Sequence, residues 1–73
     1  MEVEMGDKVV DQKGKLLGTV DYVIRDPWSG EITKFAVFRK APEKNLFIPV
    51  EDTAEITKST VKLKVTVEEL NQR

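Results

Sequence analysis

Two pairs of carboxylates are the residues whose type and spacing could support chemistry in this chain. Asp21 with Asp26, and separately Glu51 with Asp52, could act in acid-base catalysis or bind a hard cation. Catalysis needs a neighbouring group that shifts a pKa, and calcium needs several oxygen ligands on a dedicated loop. The sequence shows neither arrangement. We therefore interpret Asp26 as a turn residue and Glu51-Asp52 as a solvated connection.

The chain lacks the residues that nucleophilic catalysis and zinc binding usually need. The chain has no histidine and no cysteine, so Ser29, Ser59 and the threonines have no imidazole base, and zinc has neither of its ordinary ligands. The glycines are dispersed, and none opens a helix as a phosphate-binding loop does. The sequence therefore predicts a protein that is not an enzyme and that uses no metal or cofactor.

A short lysine stripe is the one feature that could bind nucleic acid. Lys62 and Lys64 alternate with apolar residues, and Lys58 lies close in sequence, so the three could contact phosphate oxygens. No aromatic residue interleaves with them to stack bases, and outward lysines commonly keep a strand soluble. The net charge of −1 gives no general attraction to nucleic acid or to an anionic membrane. We predict a protein partner and keep RNA contact through these lysines as the alternative.

The elements that must position these residues are short strands rich in β-branched and aromatic side chains and separated by turn residues. They are predicted over 8–10, 16–25, 31–40, 46–50, 54–58 and 61–67. Val20 and Val23 both suit a core although they are three residues apart, which predicts a bulge that switches faces. Thr66 and Glu69 have capping-box spacing, which predicts a single helical turn at the C-terminus. The expected fold is all-β: a small barrel of about six short antiparallel strands in one domain, 1–73.

The predicted core follows the apolar pattern of these strands. It comprises Val9, Leu17, Val20, Val23, Ile32, Val37, Phe47, Ile48, Ile56, Leu63 and Val65. A core of 73 residues leaves only roughly 3–5 kcal/mol of net stability unless a disulfide, a metal or a partner adds to it. Since cysteine is absent and metal is not expected, self-association or a partner chain remains as the source, and we predict a homodimer.

Aromatic residues supply the predicted contact surface. Phe35 and Phe38 lie on opposite faces of one strand, and a small closed barrel has room inside for only one of those faces. One of the two rings is therefore expected outside, where an apolar patch usually marks a contact. Trp28, in the Asp26–Gly30 turn, is expected either to bind a partner or to fold back onto Tyr22 or Phe38. The predicted interaction residues are Tyr22, Trp28, Phe35 and Phe38.

The location follows from what the sequence lacks. The acidic start has neither a basic segment nor an apolar segment of a secretory signal, and no apolar run is long enough to span a bilayer. We predict a cytoplasmic protein.

The spacing of glycine, proline and apolar residues resembles that of the PRC-barrel family, named after the photosynthetic reaction centre. The resemblance rests on Lys8-Val9-Val10, Gly14, Leu17-Gly18-Thr19-Val20, Val23, Asp26, Gly30, Ile32, Phe35, Val37, Phe47-Ile48-Pro49-Val50 and 65–70. It implies a bent β-barrel that serves as a docking or assembly module. Among its members, the chain is most similar to the short stand-alone bacterial and archaeal proteins, some of which are associated with cell division. The family also includes the C-terminal domain of a small-subunit ribosome maturation factor, which gives the RNA alternative its precedent.

Overall fold

A computed structural model describes residues 2–71, and it is mostly strand. Met1, Gln72 and Arg73, which the predicted domain 1–73 includes, lie outside the described residues. The elements in chain order are β1 Lys8–Val10, β2 Leu16–Arg25, β3 Ile32–Phe38, β4 Leu46–Pro49, a 3₁₀-helix Val50–Asp52, β5 Thr53–Thr57, β6 Thr60–Leu63 and α1 Val67–Asn71. The predicted all-β fold with a short C-terminal helix is confirmed.

Within residues 2–71 the six strands form one curled sheet in the order β4-β3-β2-β1-β6-β5, which makes a half-barrel. Neighbouring strands are antiparallel except β1 and β6, which run parallel with Val9 opposite Val61. This pair differs from the expected antiparallel arrangement. The reason lies in the path of the chain. β6 joins the sheet on the side of β1 that β2 leaves free, and the connection from β4 through β5 brings it there in the same direction as β1.

Two bulges in β2 bend the sheet. Val20 pairs with Val37 and Tyr22 with Ala36, so Asp21 is the extra residue between them. A bulge shifts the alternation of side chains by one residue, and Val20 is accordingly buried while Val23 packs against the core from a half-buried position. The predicted face switch is confirmed.

The second bulge of β2 lies beside β1. Val9 pairs with Gly18 and Val10 with Leu16, which leaves Leu17 as the extra residue. Leu17 is buried, whereas Leu16 is exposed.

The core lies on the inner face of the curled sheet. Eight of the predicted core residues are buried: Val9, Leu17, Val20, Ile32, Val37, Ile48, Leu63 and Val65. Val23 and Ile56 are half-buried against this core. Phe47 is 59% exposed, so its assignment to the core was wrong. The core residues that the prediction left out are Val3, Phe35, Val61, Val67 and Leu70.

Asp11 connects the first hairpin to the C-terminal helix. Its carboxylate is buried and accepts hydrogen bonds from the backbone N–H groups of Lys13 and Lys15, both at 2.9 Å, and of Val67 at 3.3 Å. Burial raises the pKa of Asp11, but the N–H groups of Lys15, Val67 and Lys13, with the charge of Lys15, outweigh it, so the pKa lies below its usual value. The carboxylate is therefore a structural anion.

Helix α1 begins as predicted. The Glu69 N–H donates to Thr66 Oγ1 at 3.3 Å, and the Thr66 hydroxyl donates to Glu69 Oε1 at the same distance. These bonds satisfy a donor that the first helical turn leaves free. Val67 and Leu70 are buried, so the short helix packs on the core.

Candidate interaction surface

The β2–β3 hairpin presents Trp28 at its tip. Asp26 Oδ1 accepts hydrogen bonds from the backbone N–H groups of Trp28 at 2.7 Å and Ser29 at 3.2 Å, and the Gly30 N–H donates to the Asp26 carbonyl at 2.8 Å. Gly30 has a φ of +76°, which a glycine adopts without strain. The turn is thus well defined, while the Trp28 side chain is 96% exposed.

This exposure decides between the two readings of Trp28. The ring does not fold back onto Tyr22 or Phe38, so that expectation was wrong. A bare indole on a hydrogen-bonded turn is unusual on a protein surface, because tryptophan carries a large apolar area and is enriched in binding hot spots. Trp28 therefore remains a candidate contact residue.

A pair of aromatic rings lies on the outer face of the sheet, opposite the core. Tyr22 of β2, Ala36 of β3 and Phe47 of β4 lie side by side in register. The Tyr22 and Phe47 rings meet edge to face with centroids 6.3 Å apart, across the small Ala36 side chain. Ala36 is buried between its two strand neighbours, whereas Tyr22 and Phe47 are 43% and 59% exposed.

Phe35 and Phe38 take opposite sides of the sheet, as the sequence predicts. Phe35 is fully buried, which excludes it from the contact surface of this chain and corrects its assignment as an interaction residue. Phe38 is the outer ring and is 52% exposed. It lies two residues beyond Ala36 on the same face of β3. We call Tyr22, Phe38 and Phe47 the outer aromatic face.

A surface groove lies beside Phe38. Its volume is about 480 Å³, and its lining residues are Lys8, Leu16, Leu17, Gly18, Thr19, Phe38 and Lys40. Leu16 is 59% exposed, so it adds apolar surface to the groove beside that of Phe38. Two lysines and no carboxylate line this groove. We call it the Leu16–Phe38 groove.

The three lysines of the RNA alternative are all exposed. Lys62 lies in β6 directly opposite Glu55 of β5, so a carboxylate accompanies it on the same face. Lys58 lies in the turn between these strands, and Lys64 follows β6. None of the three lysines lines the Leu16–Phe38 groove, and the arrangement suits a solvated sheet surface.

The carboxylates considered for chemistry lie in three places in the fold. Asp21 is exposed at a β2 bulge, Asp26 holds the hairpin turn, and Glu51 and Asp52 lie in the 3₁₀-helix. Across the described residues, no three side chains of the histidine, cysteine, aspartate and glutamate types are grouped to hold a metal ion. Glu51 and Asp52 are thus neighbours in one short helix, while Asp21 lies in β2 and Asp26 in the turn that follows it.

Two of the surface features were not predicted from the sequence. The exposure of Phe47 was missed because an apolar five-residue run with a proline resembles a buried strand. The pairing of Leu16 with Phe38 depends on which residues the bulges turn outward, and no local pattern indicates it. A sequence signal for Phe47 does exist: it alternates with the buried Ile48, which already fills the inner face.

Two comparisons with known proteins found no match. No protein-family model matches the chain, and no curated protein matches it either. The part of the chain that the structure describes contains no helix able to cross a membrane.

Proposed function

We propose that this protein is a non-enzymatic interaction module of the PRC-barrel type that forms a homodimer in the cytoplasm through its outer aromatic face. The observation that carries the proposal is the solvent exposure of Tyr22, Phe38 and Phe47 on one side of a sheet whose other side is the core. Apolar rings grouped on an outer sheet surface are typical of a binding site. A small domain without disulfides also gains stability from such a contact.

The resemblance to the stand-alone PRC-barrel proteins supports an assembly role rather than a reaction. It also supports a scaffold of the cell-division machinery as the class of protein to which the dimer binds. The lysines Lys58, Lys62 and Lys64 support an RNA-binding role less well, because Glu55 opposes Lys62 and no stacking ring adjoins them.

The oligomeric state tests the proposal. We expect light scattering after size exclusion to give a dimer at both low and high salt, because burial of apolar rings depends little on ionic screening. Phe38→Ser and Phe47→Ser should each give a monomer that keeps its circular dichroism spectrum. Met5→Ser is the matched control, since Met5 is 71% exposed but is not part of the outer aromatic face.

Two other results would contradict the proposal. A wild-type protein that stays monomeric up to millimolar concentration would disprove the homodimer. Binding to RNA that weakens steeply with added salt, and that Lys62→Gln with Lys64→Gln reduces, would favour the ribosomal alternative.

A further inference from the structure

Strands β2 and β3 pair along their length, and we call this pair the β2–β3 ribbon. One of its ends carries an exposed apolar side chain, and the other carries a groove. Trp28 projects from the hairpin tip, and the Leu16–Phe38 groove lies at the opposite end, where Thr19 pairs with Phe38. We propose that the hairpin tip of one copy docks into the Leu16–Phe38 groove of a second copy, with the Trp28 indole between Leu16 and Phe38. This inference rests on the proposed function and specifies how its two copies meet.

The charges at the two ends are opposite. Lys8 and Lys40 line the groove without any carboxylate. At the tip, the single cation Arg25 lies among acidic residues. Glu2 is 3.7 Å from its guanidinium, Asp26 follows it in the chain, and Glu31 lies across the turn, where its carbonyl accepts a hydrogen bond from the Asp26 N–H. Complementary charges of this kind orient two partners and suppress wrong alignments.

The hairpin tip is already in a form suited for binding. The bonds from Trp28 N–H and Ser29 N–H to Asp26 Oδ1 fix the turn, and the Arg25 side chain donates to the Gly30 carbonyl at 2.8 Å. A prefixed turn loses little conformational freedom on docking. Trp28 can therefore transfer its apolar surface from water to the groove at low entropic cost, which is the usual behaviour of a hot-spot residue.

The geometry allows both contacts in one dimer. Phe38 lies six positions along β3 from Ile32 at the tip end, which corresponds to roughly 20 Å at about 3.3 Å per residue. Two copies related by a two-fold axis, with their ribbons antiparallel, bring each tip to the groove of the other copy. Such a closed dimer leaves neither a tip nor a groove unoccupied.

Mixing two variants tests the contact directly. Trp28→Ala removes the indole at the tip and leaves the groove intact, whereas Leu16→Ser removes apolar surface from the groove and leaves the tip intact. Each side chain is largely exposed, so each variant is expected to fold. Alone, each should dimerise about 30-fold more weakly than wild type or worse, as for a hot-spot residue. Mixed, they should form a one-to-one heterodimer, because one complete tip–groove contact remains.

Charge exchange provides an independent test. Lys40→Glu should weaken the dimer severalfold at low salt, and adding Glu31→Lys in the same chain should restore it, because both groups exchange sign. Lys44→Glu is the matched control, since Lys44 is exposed and does not line the groove. Equal effects of Lys40→Glu and Lys44→Glu would overturn the proposed pairing of charges.

The unmodified protein supplies a readout that no folding defect can affect. Trp28 is the only tryptophan of the chain, so tryptophan emission reports this residue alone. We expect a shift to longer wavelength when the dimer is diluted to monomer, as the indole leaves the groove for water.

The results separate this inference from the proposed function. If wild type is a dimer that Phe47→Ser breaks, but Trp28→Ala leaves it intact and the emission does not change on dilution, the tip–groove contact is wrong and the interaction module stands. If wild type is always a monomer, both are wrong. A mixture of Trp28→Ala and Leu16→Ser that stays monomeric while wild type is a dimer also overturns the contact.

Discussion

Gly18 lies directly against the backbone of Phe38. A Cβ atom at Gly18 would overlap the Phe38 carbonyl oxygen and lie 3.1 Å from Val37 Cγ1. Gly18 also pairs with Val9 at the bulge of β2, so β1, β2 and β3 approach one another at this residue. Because the obstacle is backbone and not a mobile side chain end, the site needs glycine for space.

We expect Gly18→Ala to destabilise the protein by about 1–3 kcal/mol, the range for overpacking a close contact. This is a large part of the roughly 3–5 kcal/mol available to a domain of this size. The midpoint of urea unfolding measures the change. Thr19→Ala is the control, because Thr19 is the exposed next residue of β2, and a loss as large as that of Gly18→Ala would show that spatial crowding is not the cause.

Acid should unfold the protein partly through Asp11. The pKa of this carboxylate is lower in the folded chain than its ordinary value of 3.8. Its contribution to stability is therefore complete above pH 3.8 and is lost as the pH falls through the folded-state pKa. We expect Asp11→Asn to flatten the acid limb of a plot of unfolding free energy against pH.

The same substitution should lower stability at neutral pH by about 1–3 kcal/mol, because the amide cannot satisfy all three backbone N–H donors. Asp21→Asn is the matched control, since Asp21 is exposed at the surface. An Asp11→Asn protein with unchanged stability at pH 7 would disprove the structural role of this carboxylate.

The turn around Asp26 was predictable, whereas the role of Asp11 was not. Asp26-Pro27 followed by Gly30 is a local turn signal, and the hairpin follows it closely. Asp11 gave the same kind of local signal, but its bond to the Val67 N–H joins residues 56 positions apart. No spacing pattern contains that contact, because it depends on how helix α1 returns to the first hairpin.

Asp26→Ala should weaken the hairpin without disturbing the core. It removes the acceptor for the Trp28 and Ser29 N–H groups, so we expect a loss of about 1 kcal/mol and faster proteolytic cleavage at the tip. Trp28→Ala should leave the stability of the monomer unchanged, because the indole is exposed. Limited proteolysis and urea unfolding below the dimerisation concentration compare the two. A greater loss for Trp28→Ala would mean that the ring packs on its own chain.

Truncation of Phe35 should lower the stability of the domain much more than truncation of Phe38. Phe35→Ala removes a fully buried ring and should cost about 3–5 kcal/mol, which is enough to unfold the domain. Phe38→Ala removes an exposed ring and should change the stability of the monomer by less than about 1 kcal/mol. Circular dichroism on dilute protein distinguishes them, and two folded variants of similar stability would contradict the burial of Phe35.

The surface was less predictable than the strands for a physical reason. Strand positions follow from local composition, and the Val20 to Val23 spacing even indicated the bulge at Asp21. Which apolar residue faces outward depends instead on the whole sheet. Phe47 lies outside because Ile48 occupies the inner position of β4, and its ring is supported by Tyr22 from a strand that is not its direct neighbour.

The parallel pairing of β1 with β6 also sets the order in which this chain can complete its fold. The partner of Val9 is Val61, so β1 cannot complete its pairing until the residues of β6 have been synthesised. Loop closure over so many residues slows folding, and until it occurs β1 has a bare edge that other chains could pair with. The newly made polypeptide is thus exposed to aggregation until β6 pairs with β1.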